Sequence, residues 1–200
     1  LWAWESKIPP PSNAINVSRI FLTISVNQLV FKNFIKQIFL HFNLQINYGN
    51  EGNHMYENLK NKNLFNFDET IAADIFTDID FPWEVLPKIK DFITGLGESL
   101  SPDDYDKKGD NVWIAKSAAI APTATINGPC IIGKGTEVRP GAFIRGNAII
   151  GEKCVVGNST ELKNVILFNN VQVPHYNYVG DSILGYKSHM GAGSITSNVK

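Results

Sequence analysis

Residues 112–162 read VWIAKS AAIAPT ATINGP CIIGKG TEVRPG AFIRGN AIIGEK CVVGNS TEL, and in this spelling the chain falls into sixes. The third position of each group is aliphatic without a slip: Ile114, Ile120, Ile126, Ile132, Val138, Ile144, Ile150, Val156 and Leu162. The first is small or short: Val112, Ala118, Ala124, Cys130, Thr136, Ala142, Ala148, Cys154 and Thr160. A helix of period 3.6 cannot keep a repeat of six on one face, and two-residue alternation leaves the small column unexplained. A solenoid accounts for both. Each hexapeptide supplies one short strand and one corner, and stacked coils bury what a single coil cannot. Gly133, Gly151 and Gly157 follow the aliphatic residue, where a corner needs backbone freedom. Past Leu162 a looser repeat is expected at Leu167, Val173, Val179, Leu184, Met190 and Ile195, with single-residue contractions at three steps. The predicted fold is all-β: a parallel β-helix over 111–200, its aliphatic column inward and about five coils long.

Outward from the repeat, three segments are expected. Residues 1–54 form an apolar N-terminal extension. Lys32 and Lys36 interrupt its apolar run at 20–44, so it falls short of a spanning helix, and Pro9–Pro11 precede that run, unlike a usual signal peptide. Phe31, Phe34, Ile35, Ile38 and Phe42 lie near helical spacing; a start at Met55, with 1–54 not native, is the competing reading. Residues 55–110 are predicted to be a small helical or irregular cap and linker. Trp83–Ile93 reads as a short helix packed on the first coil, with Pro82 in its first turn and Pro87 dividing it. Residues 99–110 are a polar linker. The repeat reaches Lys200 without a cap, so further coils are expected beyond it.

Charge is uneven. Residues 55–110 hold 13 acidic against 6 basic side chains, and residues 111–200 hold 4 against 8. That modest excess suits small anions and is too sparse for a nucleic-acid surface. Cys130 and Cys154 both sit in the small column and read as buried thiols, not as a disulfide or a metal site; no histidine spacing suggests a metal either.

A spacing of 18 stacks Asn127, Arg145 and Lys163 in successive coils, about 5 Å apart. Two stacked cations are costly unless an anion lies between them, so the expectation is a phosphate clamp, with Arg139 a further contributor. Glu161 points to the same neighbourhood. By the contracted repeat, Val173 and Met190 share a corner, which places His175 beneath Ala192 of a Gly-Ala-Gly turn. An imidazole of near-neutral pKa suits proton abstraction from an amine, and an exposed amide N–H suits a developing oxyanion.

The runs RPGA from Arg139, GNSTELK from Gly157, HYNYVGD from His175 and MGAGSITSN from Met190 resemble the acetyltransferase domain of the bacterial bifunctional N-acetylglucosamine-1-phosphate uridyltransferase/glucosamine-1-phosphate acetyltransferase family. The resemblance implies a left-handed hexapeptide-repeat β-helix with triangular coils, acetyl-CoA as co-substrate and a homotrimer with sites at subunit boundaries. Its implied function is acetyl transfer to a sugar phosphate, glucosamine-1-phosphate first, in a cytoplasmic, non-membrane enzyme. It implies His175 as general base, the Ala192 amide in the oxyanion site, and Lys163, an arginine, Tyr178 and Asn198 around the sugar phosphate. The motif selects Arg139 for that arginine, the stacking distance Arg145. His189 stands where the family has an asparagine near the substrate. The chain reads SNVK after Thr196 where the family continues NYD, and no uridyltransferase domain precedes Val112. Coenzyme A contacts would lie past Lys200. The competing readings are a transferase acting on another sugar nucleotide and a non-catalytic β-helix that serves as scaffold or sensor.

Overall fold

The structure, a computed structural model, describes residues 56–196. The apolar stretch at 20–44 and Asn198 lie outside the described residues. The chain enters through short helical pieces: α1 (Asn61–Leu64), α2 (Pro82–Val85) and α3 (Ile89–Ser99). Pro82 opens α2, where its missing N–H costs nothing, and Glu84 accepts from the Phe81 N–H at 3.0 Å. A 3₁₀ turn over Leu86–Lys88 carries Pro87 and separates α2 from α3, so the expected helix is divided there.

The strand β1 (Tyr105–Lys107) then pairs antiparallel with β2 (Val112–Ala115), and the coils begin. β3 (Ala119–Ile120) and β4 (Thr125–Ile126) complete the first turn. β5 (Cys130–Ile132), β6 (Glu137–Val138) and β7 (Phe143–Ile144) form the second. β8 (Ala148–Ile150), β9 (Val155–Asn158), β10 (Glu161–Leu167), β11 (Gln172–His175) and β12 (Tyr178–Leu184) continue the winding. All pairing between coils is parallel. Three walls result. The first stacks β2, β5, β8 and the ends of β10 and β12; the second β3, β6, β9 and β11; the third β4, β7 and the starts of β10 and β12.

Successive coils repeat at 18 residues, as in the pairs Ile132↔Ile150 and Ile144↔Leu162, and later at 17, as in Val156↔Val173 and Leu162↔Val179. The missing residue is lost at the corner between third and first walls, which β10 and β12 round without a break. From Gly135 onward the corners use left-handed backbone. Gly135, Lys153, Asn170 and Lys187 supply it at one corner, and Gly141, Ser159, Tyr176 and Gly193 at the next. Asn147, Asn164 and Asp181, with φ of 51°, 54° and 45°, supply it at the third. Asparagine and aspartate tolerate this region better than most residues, which explains why that column is written with them.

The inward columns are as expected from Ile132 to Leu162, all fully buried. One position is corrected. Ile195 is 67% exposed, and Thr196 turns inward instead, 4% exposed. Tyr178 bridges to Ile195, so the residue above Val179 is Thr196, and the expected third contraction does not occur. Thr196 Oγ1 accepts from the Gly180 N–H at 2.8 Å.

The helical segment is corrected too. It packs on the first coil through Trp113 but reaches beyond it: α3 lies along the outer face of the first wall, against β5, β8 and β10, and not over the open end. There the outward residues Trp113, Ile131, Ile149, Ile166 and Ile183 form one ladder, and all are buried. Gly97 of α3 lies so close to Trp113 that a Cβ would strike the indole. At the other end Phe65 and Phe76 gather around Phe168, ring centroids 5.1 and 5.9 Å away. β1 is what covers the edge of the first coil.

Candidate functional site

His175 ends β11 on the second wall, exposed, one coil above Asn158. The corner that follows carries Tyr176, 66% exposed at φ +51°, and then Asn177, which is 2% exposed. Asn177 is a polar staple that sequence reasoning missed. Its Oδ1 accepts from the His175 N–H at 3.0 Å, and its Nδ2 donates to the carbonyls of Gly191 at 2.7 Å and Ser194 at 3.3 Å. One buried side chain thus ties the histidine's turn to the glycine turn above it. Its sequence signal is faint: a polar residue in the small column, where Thr136 and Thr160 also bridge coils through their hydroxyls.

Ala192 stacks over His175 as expected. The Gly193 N–H donates to the His175 carbonyl at 3.1 Å, whereas that of Ala192, an exposed residue, has no acceptor among the described residues. An exposed, uncommitted backbone donor directly above an exposed imidazole is an arrangement that can receive negative charge.

On the third wall, Arg145 and Lys163 stack in the expected register, since the Arg145 N–H donates to the Leu162 carbonyl. Both side chains point outward, each 44% exposed. The expectation that the two cations lack internal anions is corrected. Arg145 Nη1 lies 2.7 Å from Glu161 Oε1, and Lys163 Nζ lies 3.5 Å from Asp181 Oδ2. Each cation leans on a carboxylate one coil up, which removes the repulsion without an external ion. The bond to Glu161 raises the pKa of Arg145 above its ordinary value. Glu161 and Tyr178 belong to one outward column, Phe143, Glu161, Tyr178 and Ile195, of which Phe143 is 36% exposed.

The remaining candidates stand apart. Arg139 lies on the second wall and grips Glu137 through Nε and Nη2, both at 3.1 Å. Its backbone pairs with the coil of Val156, so Arg145 and not Arg139 is the stacked neighbour of Lys163. His189 is on the outer face of the second wall, its Nδ1 3.2 Å from Gln172 Oε1. Among the described residues no helix is long and apolar enough to cross a membrane.

Comparison with known proteins converges on the same segment. Residues 126–199 match the family model described as the GMPPB C-terminal domain. The chain is 38% identical to bifunctional protein GlmU of Methanococcus aeolicus, over 62% of this chain and 31% of that protein. Against the GlmU of a Picosynechococcus species it is 42% identical over 34% of this chain and 15% of the relative. Against that of Pseudomonas putida it is 30% identical over 64% and 26%. The chain spans about a third, or less, of the length of these relatives. The solenoid is therefore homologous to the C-terminal acetyltransferase domain of bifunctional GlmU proteins, and its sixfold sequence period and parallel coils are similar to those of hexapeptide-repeat β-helices.

Proposed function

We propose that the solenoid transfers an acetyl group from acetyl-CoA to the amine of a sugar phosphate, glucosamine-1-phosphate first among acceptors, and releases N-acetylglucosamine-1-phosphate and coenzyme A. The observation that carries this reading is the exposed imidazole of His175 beneath the uncommitted Ala192 N–H, fastened to the same turn by Asn177. His175 takes a proton from the amine as its nitrogen attacks the thioester carbon. The carbonyl oxygen becomes an oxyanion and accepts from Ala192. Collapse breaks the C–S bond, and the imidazolium returns the proton to the departing thiolate. Lys163 and Arg145 hold the phosphate, and Tyr178 and Glu161 line the third wall beside them. Arg139 and His189 lie at its margin. The second and third walls, with Phe143, Tyr176 and Ile195 exposed and no helix among the described residues over them, suit assembly as a homotrimer that completes each site.

The test is acetyl-CoA-dependent release of free thiol with glucosamine-1-phosphate. His175→Ala is expected to lower the rate roughly 10²–10⁴-fold with the fold intact. Near-normal turnover by this variant across neutral pH refutes the base. A second reading, a non-catalytic scaffold or sensor, draws on the family model, which is named for a protein other than GlmU. It predicts no acetyl-CoA binding by calorimetry and no effect of His175→Ala. Acceptor profiling separates glucosamine-1-phosphate from other sugar nucleotides.

A further inference from the structure

We propose that Asp181 is a positioning residue whose charge holds the Lys163 ammonium where the acceptor's phosphate docks, an inference that rests on the function proposed above. Asp181 follows Gly180, the residue directly above Lys163, and its side chain is only 17% exposed. It is the third member of the left-handed corner column whose lower members are Asn147 and Asn164. The corner itself asks for no charge, since asparagine fills the same place in the two coils below. Nor does the bond to Asn164, whose Nδ2 donates to Asp181 Oδ1 at 2.8 Å; an amide oxygen would accept it equally well.

What the charge adds is the second oxygen. Oδ2 faces Lys163 Nζ at 3.5 Å. A carboxylate this enclosed is costly without a cation, and a flexible lysine stem needs a fixed point to present its ammonium. The Asn164 bond locks the carboxylate, and the carboxylate draws the ammonium to the third-to-first corner of the coil. At 3.5 Å the pair is loose enough to leave ammonium protons for a second anion on the solvent side.

The experiment compares the intact chain with D181N, K163A and the double variant. Calorimetry reads the binding of inorganic phosphate and of glucosamine-1-phosphate, and steady-state kinetics reads acetyl transfer. D181N keeps the positive φ and the Asn164 acceptor, so its melting temperature is expected to hold; Asp181→Gly, which also accepts that φ, serves if it does not. D181N is expected to weaken both ligands roughly tenfold and to raise the acceptor KM with kcat within about twofold. In the K163A background it is expected to change neither. Equal losses with and without Lys163, or tighter binding by D181N, overturn the proposal. Phosphate binding with this coupling but no acetyl transfer removes the acceptor reading and leaves Asp181 its role. Turnover by the wild type with D181N indistinguishable from it does the reverse, and no binding of either ligand removes both.

Discussion

At the scale of single residues, the site depends on side chains whose chemistry is spent inside the protein. Asn177 makes no outward contact, yet its three hydrogen bonds fasten His175 to the turn of Ala192. Asn177→Ala leaves the Gly191 and Ser194 carbonyls without this donor, and is expected to cost about 1–3 kcal/mol by chemical denaturation. It is also expected to lower kcat more than the acceptor KM, because the phosphate residues lie on another wall. A KM effect alone would place Asn177 with the acceptor instead. Gly157 shows a different constraint. A Cβ there would strike the Pro174 backbone one coil up, so this glycine serves close stacking, whatever the corner needs.

At the scale of elements, the walls differ because their outward columns differ. The first wall shows Trp113, Ile131, Ile149, Ile166 and Ile183 and is covered by α3; the third shows Thr125, Phe143, Glu161, Tyr178 and Ile195, and no helix among the described residues lies over it. Ile149→Ala is expected to destabilise the fold by about 2–5 kcal/mol although it points away from the coil interior, since α3 makes that face core. Phe143→Ser, at the equivalent position of the third wall, is expected to stay within about 1 kcal/mol in the isolated chain. Thermal melts of the two variants side by side check the contrast.

At the scale of the whole molecule, the buried thiols set an alkaline limit. Burial pushes Cys130 and Cys154 up to about 12 from an ordinary value near 9. Both folded values lie above the unfolded one, so this stabilisation is full below about pH 9. Above it the unfolded chain sheds protons that the folded chain keeps, and stability falls by about 1.4 kcal/mol per pH unit per thiol until the folded value is reached. Urea melts between pH 8 and 11 are expected to show a slope reduced by one proton in Cys130→Ala; an unchanged slope would mean the thiol is not the titrating group. Assembly belongs to this scale as well. Sedimentation is expected to give a trimer at micromolar concentration, and Phe143→Ser to weaken it.

The hexapeptide period by itself determined the solenoid, its inward columns and the stacking of Arg145 with Lys163 and of His175 with Ala192. Those follow from local spacing: where the coil length is legible from the recurring aliphatic residue, each residue's neighbour above is a matter of counting. Even the covered wall was written in the chain, in apolar residues recurring every coil at Trp113, Ile131 and Ile149. Only the tertiary structure decided what covers it, because an amphipathic α3 has the same sequence signature whether it lies on a wall or an end. Tertiary structure also decided that Thr196 and not Ile195 turns inward. Coil length is set by the whole corner, and a buried hydroxyl with partners at Gly180 outweighs the local preference for the aliphatic neighbour. The pairing of Arg145 with Glu161 and of Lys163 with Asp181 was likewise beyond counting: charge separation along the chain says nothing of which way long side chains lean across a coil.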